Sequence, residues 1–122
     1  MGLDMFLETE HKVTGETSII HSWRKANQIR EWFVTRFDCD PEDQLNIVIT
    51  QNDIDCLIDA IKQVLDYPEL APSVLPTASG FFFGSTEYDN AYFSELSETL
   101  NYLTKDFEYE AQSEKLRYTE WW

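Results

Sequence analysis

Leu3-Asp4-Met5-Phe6-Leu7 opens the chain with apolar residues at every second position. A period of two places Leu3, Met5 and Leu7 on one face of a strand, predicted over residues 3–13. Thr14-Gly15-Glu16 then reads as a turn, and Thr17 to Trp23 as a second strand returning beside the first. At the other end, Leu116, Tyr118 and Trp121 fall in alternation within residues 107–122, so this tail is expected to pair as a closing strand.

Between these ends the period changes from two to about 3.6. Ala26, Ile29, Phe33 and Phe37, with Trp32 alongside, give a first helix over 24–37, ended by Asp38-Cys39-Asp40-Pro41-Glu42-Asp43. Leu45-Asn46-Ile47-Val48-Ile49 is short and β-branched and reads as a strand. Residues 52–66 form a second helix capped by Asn52 or Asp53, with Ile54, Leu57, Ile61 and Leu65 as its buried stripe. Tyr67 to Ala78 carries three prolines and reads as a long loop. Thr86-x-x-Asp89 or Ser85 caps a third helix, whose stripe is Tyr92, Leu96, Leu100, Leu103 and Phe107. Strands at both ends and helices between them predict one α+β domain over 1–122. Its small antiparallel or mixed sheet is built from the N- and C-terminal strands, with about three helices packed on it.

Composition agrees with a globular unit. The chain has 122 residues, 8 Phe, 6 Tyr and 4 Trp, and a chain of this length buries about two thirds of its unfolded surface. Its formal net charge is −14. Such a chain is repelled by nucleic acid and by anionic membranes, so neither direct DNA or RNA binding nor membrane association is expected. Two readings of the acidity stay open. It is a solvated surface, or it copies a phosphate backbone and occupies a basic groove on another protein.

Leu75-Pro76-Thr77-Ala78-Ser79-Gly80-Phe81-Phe82-Phe83-Gly84-Ser85-Thr86-Glu87-Tyr88-Asp89 is an unusual run, with three phenylalanines between two glycines. It reads as a short buried strand or a hydrophobic plug, and any phenylalanine left outside would form an apolar interaction patch. The glycines do not have the spacing of a phosphate-cradling loop. Four of the nine basic residues, Arg24, Lys25, Arg30 and Arg36, fall close together in the predicted first helix. At 100° per residue, Lys25 and Arg36 lie within about 20° of one another, while Arg30 lies about 140° from Lys25, so they form no single stripe. They neutralise neighbouring acids, or Arg24 and Lys25 join Asn27 and the helix start in an anion pocket suited to a phosphate or nucleotide.

Other chemistry finds little support. His11 and His21 are the two histidines, and their separation is not a metal-site spacing. Asp38-x-Asp40-x-Glu42 has the alternating carboxylates of a calcium loop but lacks the central glycine and the closing glutamate. Ser79, Ser85 and Ser94 lack a nucleophile-elbow context. No catalytic residue, metal ligand or cofactor is therefore assigned. Cys39 and Cys56 are not a CxxC pair, and Cys56 is expected as a buried free thiol on a helix face. Met1-Gly2-Leu3-Asp4 has no basic n-region before an apolar run, which predicts a cytoplasmic location.

Three stretches, Gly2-Leu3-Asp4-Met5-Phe6-Leu7, Trp23 to Phe33, and Leu75 to Asp89, together resemble a family of small, mostly uncharacterised bacteriophage and prophage proteins. A histidine often stands in that family where this chain has Arg30, so no catalytic role of such a histidine carries over. The resemblance implies a phage accessory protein in a bacterial host cell that binds a host protein. The candidate ligand- or partner-binding residues are Trp23, Arg24, Lys25, Asn27, Phe82, Ser85, Thr86, Tyr88 and Asp89. A nucleotide- or anion-binding module using Arg24, Lys25 and the Gly80–Gly84 loop is the alternative, and a small enzyme of unknown reaction the third. Trp121-Trp122 suits a core position, a homodimer contact or a docking tag.

Overall fold

The structure is a computed structural model that describes residues 2–80 and 83–122. Two eight-residue strands, β1 (Asp4–His11) and β2 (Thr17–Arg24), form an antiparallel hairpin. Its turn is closed by Gly15 N–H donating to the His11 carbonyl at 2.8 Å, with Gly15 at φ 75°. That left-handed conformation is open to glycine at little cost. Helix α1 (Asn27–Arg36) follows, then strand β3 (Asn46–Ile49) and helix α2 (Gln51–Asp66). A 3-10 turn (Pro68–Leu70) leads into a one-turn helix α3 (Ala71–Val74). Helix α4 (Asn90–Lys105) and strand β4 (Glu114–Trp121) complete the fold.

The strands form one fully antiparallel sheet in the order β2-β1-β4-β3. This is the α+β architecture expected from the sequence, with the two chain ends paired at its centre. Met5 and Leu7 of β1 and Leu116 and Tyr118 of β4 point inward and are buried, as is Leu3 just before β1. They pack against Ile29 and Phe33 of α1, Ile54, Leu57 and Ile61 of α2, and Leu96 and Leu103 of α4. Burying such side chains is the main favourable term, about 1.5–3 kcal/mol each.

Several local expectations are corrected. Helix α1 starts at Asn27, because Lys25 takes φ 58° and its N–H still donates to the Leu3 carbonyl at 2.7 Å. Arg24 and Lys25 therefore lie before the helix, and the angular relation predicted for them within it does not exist. The same helix stops before Pro41 is reached. Asp38 is left-handed at φ 51°, Asp38 N–H reaches the Thr35 carbonyl and Cys39 N–H reaches Val34, which is a Schellman C-cap. The cap of α2 is Thr50, in a reciprocal capping box with Asp53, rather than Asn52 or Asp53. In its stripe Val64 is buried while Leu65 is half-buried. Asp89 alone caps α4, accepting from Tyr92 N–H at 3.1 Å, so Ser85 and Thr86 stay in the preceding loop and Phe107 lies past the helix end. Most of the predicted 67–78 loop, residues 68–74, is helical turn. Cys56 is half-buried rather than buried.

The closing strand carries the largest correction. Inward positions of β4 are Leu116, Tyr118 and Glu120, while Trp121 points outward and is 69% exposed. A strict period of two decides this, since Trp121 is one residue out of phase with Tyr118.

Candidate functional site

The junction between β2 and α1 gathers several of the candidate residues. Lys25 in its left-handed conformation turns the chain sharply out of the sheet. Gly84, also left-handed at φ 82°, lies directly against it, and a Cβ on Gly84 would sit 3.2 Å from Lys25 Cβ. Two positive-φ residues in contact thus hold the aromatic loop against the start of α1. Among the described residues no side chain caps that helix start and no acid lies in its first turn, so the N–H groups of Asn27 and Gln28, which precede the first bond to the Ala26 carbonyl, are left without a side-chain acceptor.

Asn27 is the clamp. It is buried at 2% exposure. Its Nδ2 donates to the Phe83 carbonyl at 2.8 Å and the Ser85 carbonyl at 2.9 Å, and its Oδ1 accepts from Ala78 N–H at 3.0 Å. One side chain therefore holds both arms of the 78–85 loop. Further out, Thr77 N–H donates to the Tyr88 hydroxyl at 3.2 Å and the Thr77 hydroxyl donates to the Thr86 carbonyl at 2.9 Å. Tyr92, whose hydroxyl donates to the Leu75 carbonyl at 2.7 Å, closes the base. Burial, then the neighbouring Tyr88, pushes its phenol well above the ordinary range.

A cavity of about 210 Å³ opens at this junction, with Arg24, Lys25, Asn27, Ser85 and Asp89 in its lining. Trp23, Thr86 and Tyr88 are not in that lining. Trp23 is a core residue whose Nε1 donates to the Thr99 hydroxyl at 2.8 Å. Phe82 lies outside the described residues. The cavity is electrostatically mixed. Arg24 is paired with Asp4 at 2.9 Å, and Glu87 and Glu95 share the lining with Asp89. Burial, then the charge of Glu98, raises the carboxyl of Glu95 above its usual value. A simple anion at Lys25 and the α1 start would meet the field of these three acids at short range.

A second polar centre was not foreseen from the sequence. Arg30, 1% exposed, sends Nε to both oxygens of Glu120 at 3.0 and 2.9 Å. Its Nη2 donates to the Pro41 and Asp43 carbonyls at 3.1 and 3.0 Å. Glu120 also accepts from Leu45 N–H, the Tyr118 hydroxyl and Trp122 Nε1 at 3.1, 2.7 and 2.8 Å. The guanidinium lies 4.6 Å from the Phe83 ring centre and 5.5 Å from that of Trp122. This cluster joins α1, the 41–45 loop, β4 and the aromatic loop. The signal available in the sequence was Glu120 in phase with Leu116 and Tyr118.

The expectation that the clustered cations neutralise acids describes three of the four. Arg24, Arg30 and Arg36 pair with Asp4, Glu120 and Asp53. Among the described residues no group of three or more His, Cys, Asp or Glu is placed to hold a metal ion, and no helix is long and apolar enough to cross a membrane.

The fold and its sites define a small acidic α+β protein with one helix-covered and one open sheet face. No protein-family model, curated protein sequence or solved structure matches the chain.

Proposed function

We propose that this is a small phage-type accessory protein that acts by binding a host macromolecule, its acidic surface occupying a basic groove as nucleic acid does. The observation that carries this reading is the segregation of charge. On the open sheet face the acids Asp4, Glu8 and Glu10 are balanced by Arg24, Lys115 and Arg117. Arg30 and Glu120 cancel inside the core. The formal charge of −14 therefore lies outside the open sheet face, mainly on the helices and loops, and gives that side of the molecule a net negative field. The partner is expected to be a basic protein, and the reading places the molecule in the bacterial cytoplasm.

The test is native mass spectrometry of the tagged protein recovered gently from bacterial lysate. A stoichiometric basic host protein supports the reading. Its affinity should then fall roughly tenfold or more between about 50 and about 200 mM salt. A captured partner whose affinity ignores salt overturns the mimicry, and recovery of the protein without any stoichiometric macromolecule overturns the binding role.

One observation favours a second reading, an anion-binding module at the 210 Å³ cavity. The uncapped start of α1 lies there beside Lys25. A rise in melting temperature with a nucleotide or orthophosphate, lost in Lys25→Ala, supports it. No shift across a nucleotide panel overturns it.

A further inference from the structure

The outer face of the sheet is covered by no other element among the described residues, and its side chains fall into rows set by the strand register. One row reads Val48, Arg117, Glu8, Ile19 across β3, β4, β1 and β2. The next reads Asn46, Thr119, Phe6, Ser22, and at the ends Lys115 lies opposite Glu10 and Trp121 opposite Asp4. Ile19 is 59% exposed, Val48 50% and Trp121 69%. All three acids of the face stand on β1, and two of its three cations stand beside them on β4.

We infer that this face binds a second copy of the same chain, back to back, through a two-fold axis that runs parallel to the strands between β1 and β4. The strand order β2-β1-β4-β3 makes the face complementary to itself under that rotation. The axis lays β1 of one copy over β4 of the other and β2 over β3. In the first row, Glu8 comes over Arg117 and Ile19 over Val48, each contact occurring twice, as an isologous interface requires. In the neighbouring rows Glu10 comes over Lys115, Phe6 over Thr119 and Trp121 over Asp4. Two of the three acids, Glu8 and Glu10, meet cations, and the two most exposed aliphatic side chains of the sheet meet each other.

Long-range electrostatics favours the same arrangement. Two copies of a chain with charge −14 repel wherever their helical sides approach. The sheet face is balanced, and stacking through it puts both acidic sides on the outside of the dimer. Aligned sheets pack about 10 Å apart and about 30° off parallel, so the register is closest in the central row and loosens at the corners. Four strands spaced about 4.8 Å, each eight residues or fewer at about 3.3 Å per residue, offer roughly 500 Å² per copy. That is below the roughly 800 Å² per partner of a standard interface, so the dimer is weak. It leaves the acidic side free and does not depend on the host-binding reading.

Sedimentation equilibrium of the full chain from micromolar to near-millimolar concentration tests the inference. The wild type should shift from 14.4 kDa to twice that mass. Glu8→Arg alone and Arg117→Glu alone place like charges across the axis, and each should raise the dissociation constant about tenfold or more. An equimolar mixture of the two restores both cross-axis pairs and should recover the dimer. Ile19→Lys gives an independent disruption at an exposed position, and a far-ultraviolet melt confirms that each variant is folded. A wild type that stays monomeric throughout, a dimer indifferent to all three substitutions, or a mixture that fails to re-associate overturns the inference.

Discussion

Arg30 and Glu120, 90 residues apart in sequence, form a fully buried ion pair in which one nitrogen contacts both carboxylate oxygens at 3.0 and 2.9 Å. Both side chains are at most 1% exposed. Removing one partner leaves a buried charge without compensation, at a cost of about 3–5 kcal/mol. Arg30→Met and Glu120→Gln should each lower the unfolding free energy read from a urea titration by that amount. The double variant Arg30→Met/Glu120→Gln should be less destabilised than the sum of its parts. Additive losses in the double variant would show that the pair is not coupled.

Asp38 sits left-handed at φ 51° in the C-cap of α1, where a side chain costs about 1–2 kcal/mol relative to glycine. Asp38→Gly should raise stability by about 1 kcal/mol, less the greater freedom that glycine gives the unfolded chain. Calorimetry reads this as a higher melting temperature. A lower one would mean that the Asp38 carboxylate has a stabilising role that outweighs the strain.

The Thr50–Asp53 box caps α2, with Thr50 N–H donating to Asp53 Oδ2 at 2.8 Å and Arg36 Nε donating to Oδ1 at 2.7 Å. Burial alone would raise the Asp53 carboxyl, but the bonds from Arg36 and Thr50 outweigh it and hold it below 3.8. The folded state therefore favours the ionised form. That stabilisation is fully present above pH 3.8 and is lost as pH falls through the lowered folded value. Thr50→Ala should cost about 1 kcal/mol at neutral pH. Asp53→Asn should flatten the acid limb of a stability profile.

His21 is stacked on Tyr102 at 4.1 Å with its edge against Trp23 at 4.6 Å. Burial lowers its pKa from 6.5, so the unfolded chain binds the proton more readily than the folded one. Stability should be unaffected by His21 above pH 6.5 and should decline as pH falls below it, until the lowered folded value is reached. Denaturant titrations from pH 7.5 to 5 check this against His21→Gln, in which that component of the slope should vanish.

Asn27 holds the 78–85 loop through three hydrogen bonds, two of them to carbonyls on its far arm. Asn27→Ala should cost about 1–3 kcal/mol, because the buried partners are left unsatisfied. Limited proteolysis should show faster cleavage between residues 77 and 86. Unchanged cleavage would mean that other contacts hold the loop.

Much of the fold was legible because it rests on short-range periodicity. Leu3, Met5 and Leu7 repeat every second residue and are all 0% exposed. Ile54, Leu57 and Ile61 follow the helical period and are also buried. The candidate site was legible in part. Arg24, Lys25, Asn27, Ser85 and Asp89 do line one cavity, but Asn27 is a loop clamp and Arg24 is engaged by Asp4. A polar side chain names what it can bond to and leaves open which neighbour is nearest.

The sequence by itself determined the four strands and three long helices, the hairpin turn, the inward face of β1 and most of that of α2, since each depends on residues a few positions apart, and it fixed the net charge by composition. Tertiary structure alone decided where that charge lies. It set the register between the chain ends, placed three acids of β1 beside the cations of β4 and β2, and drew Arg30 out of a cationic cluster into the core. Those outcomes depend on strand order and register between segments more than 100 residues apart, as Glu10 and Arg117, 107 residues apart, show. Packing of the inward face sets that register, and the outward side chains follow it.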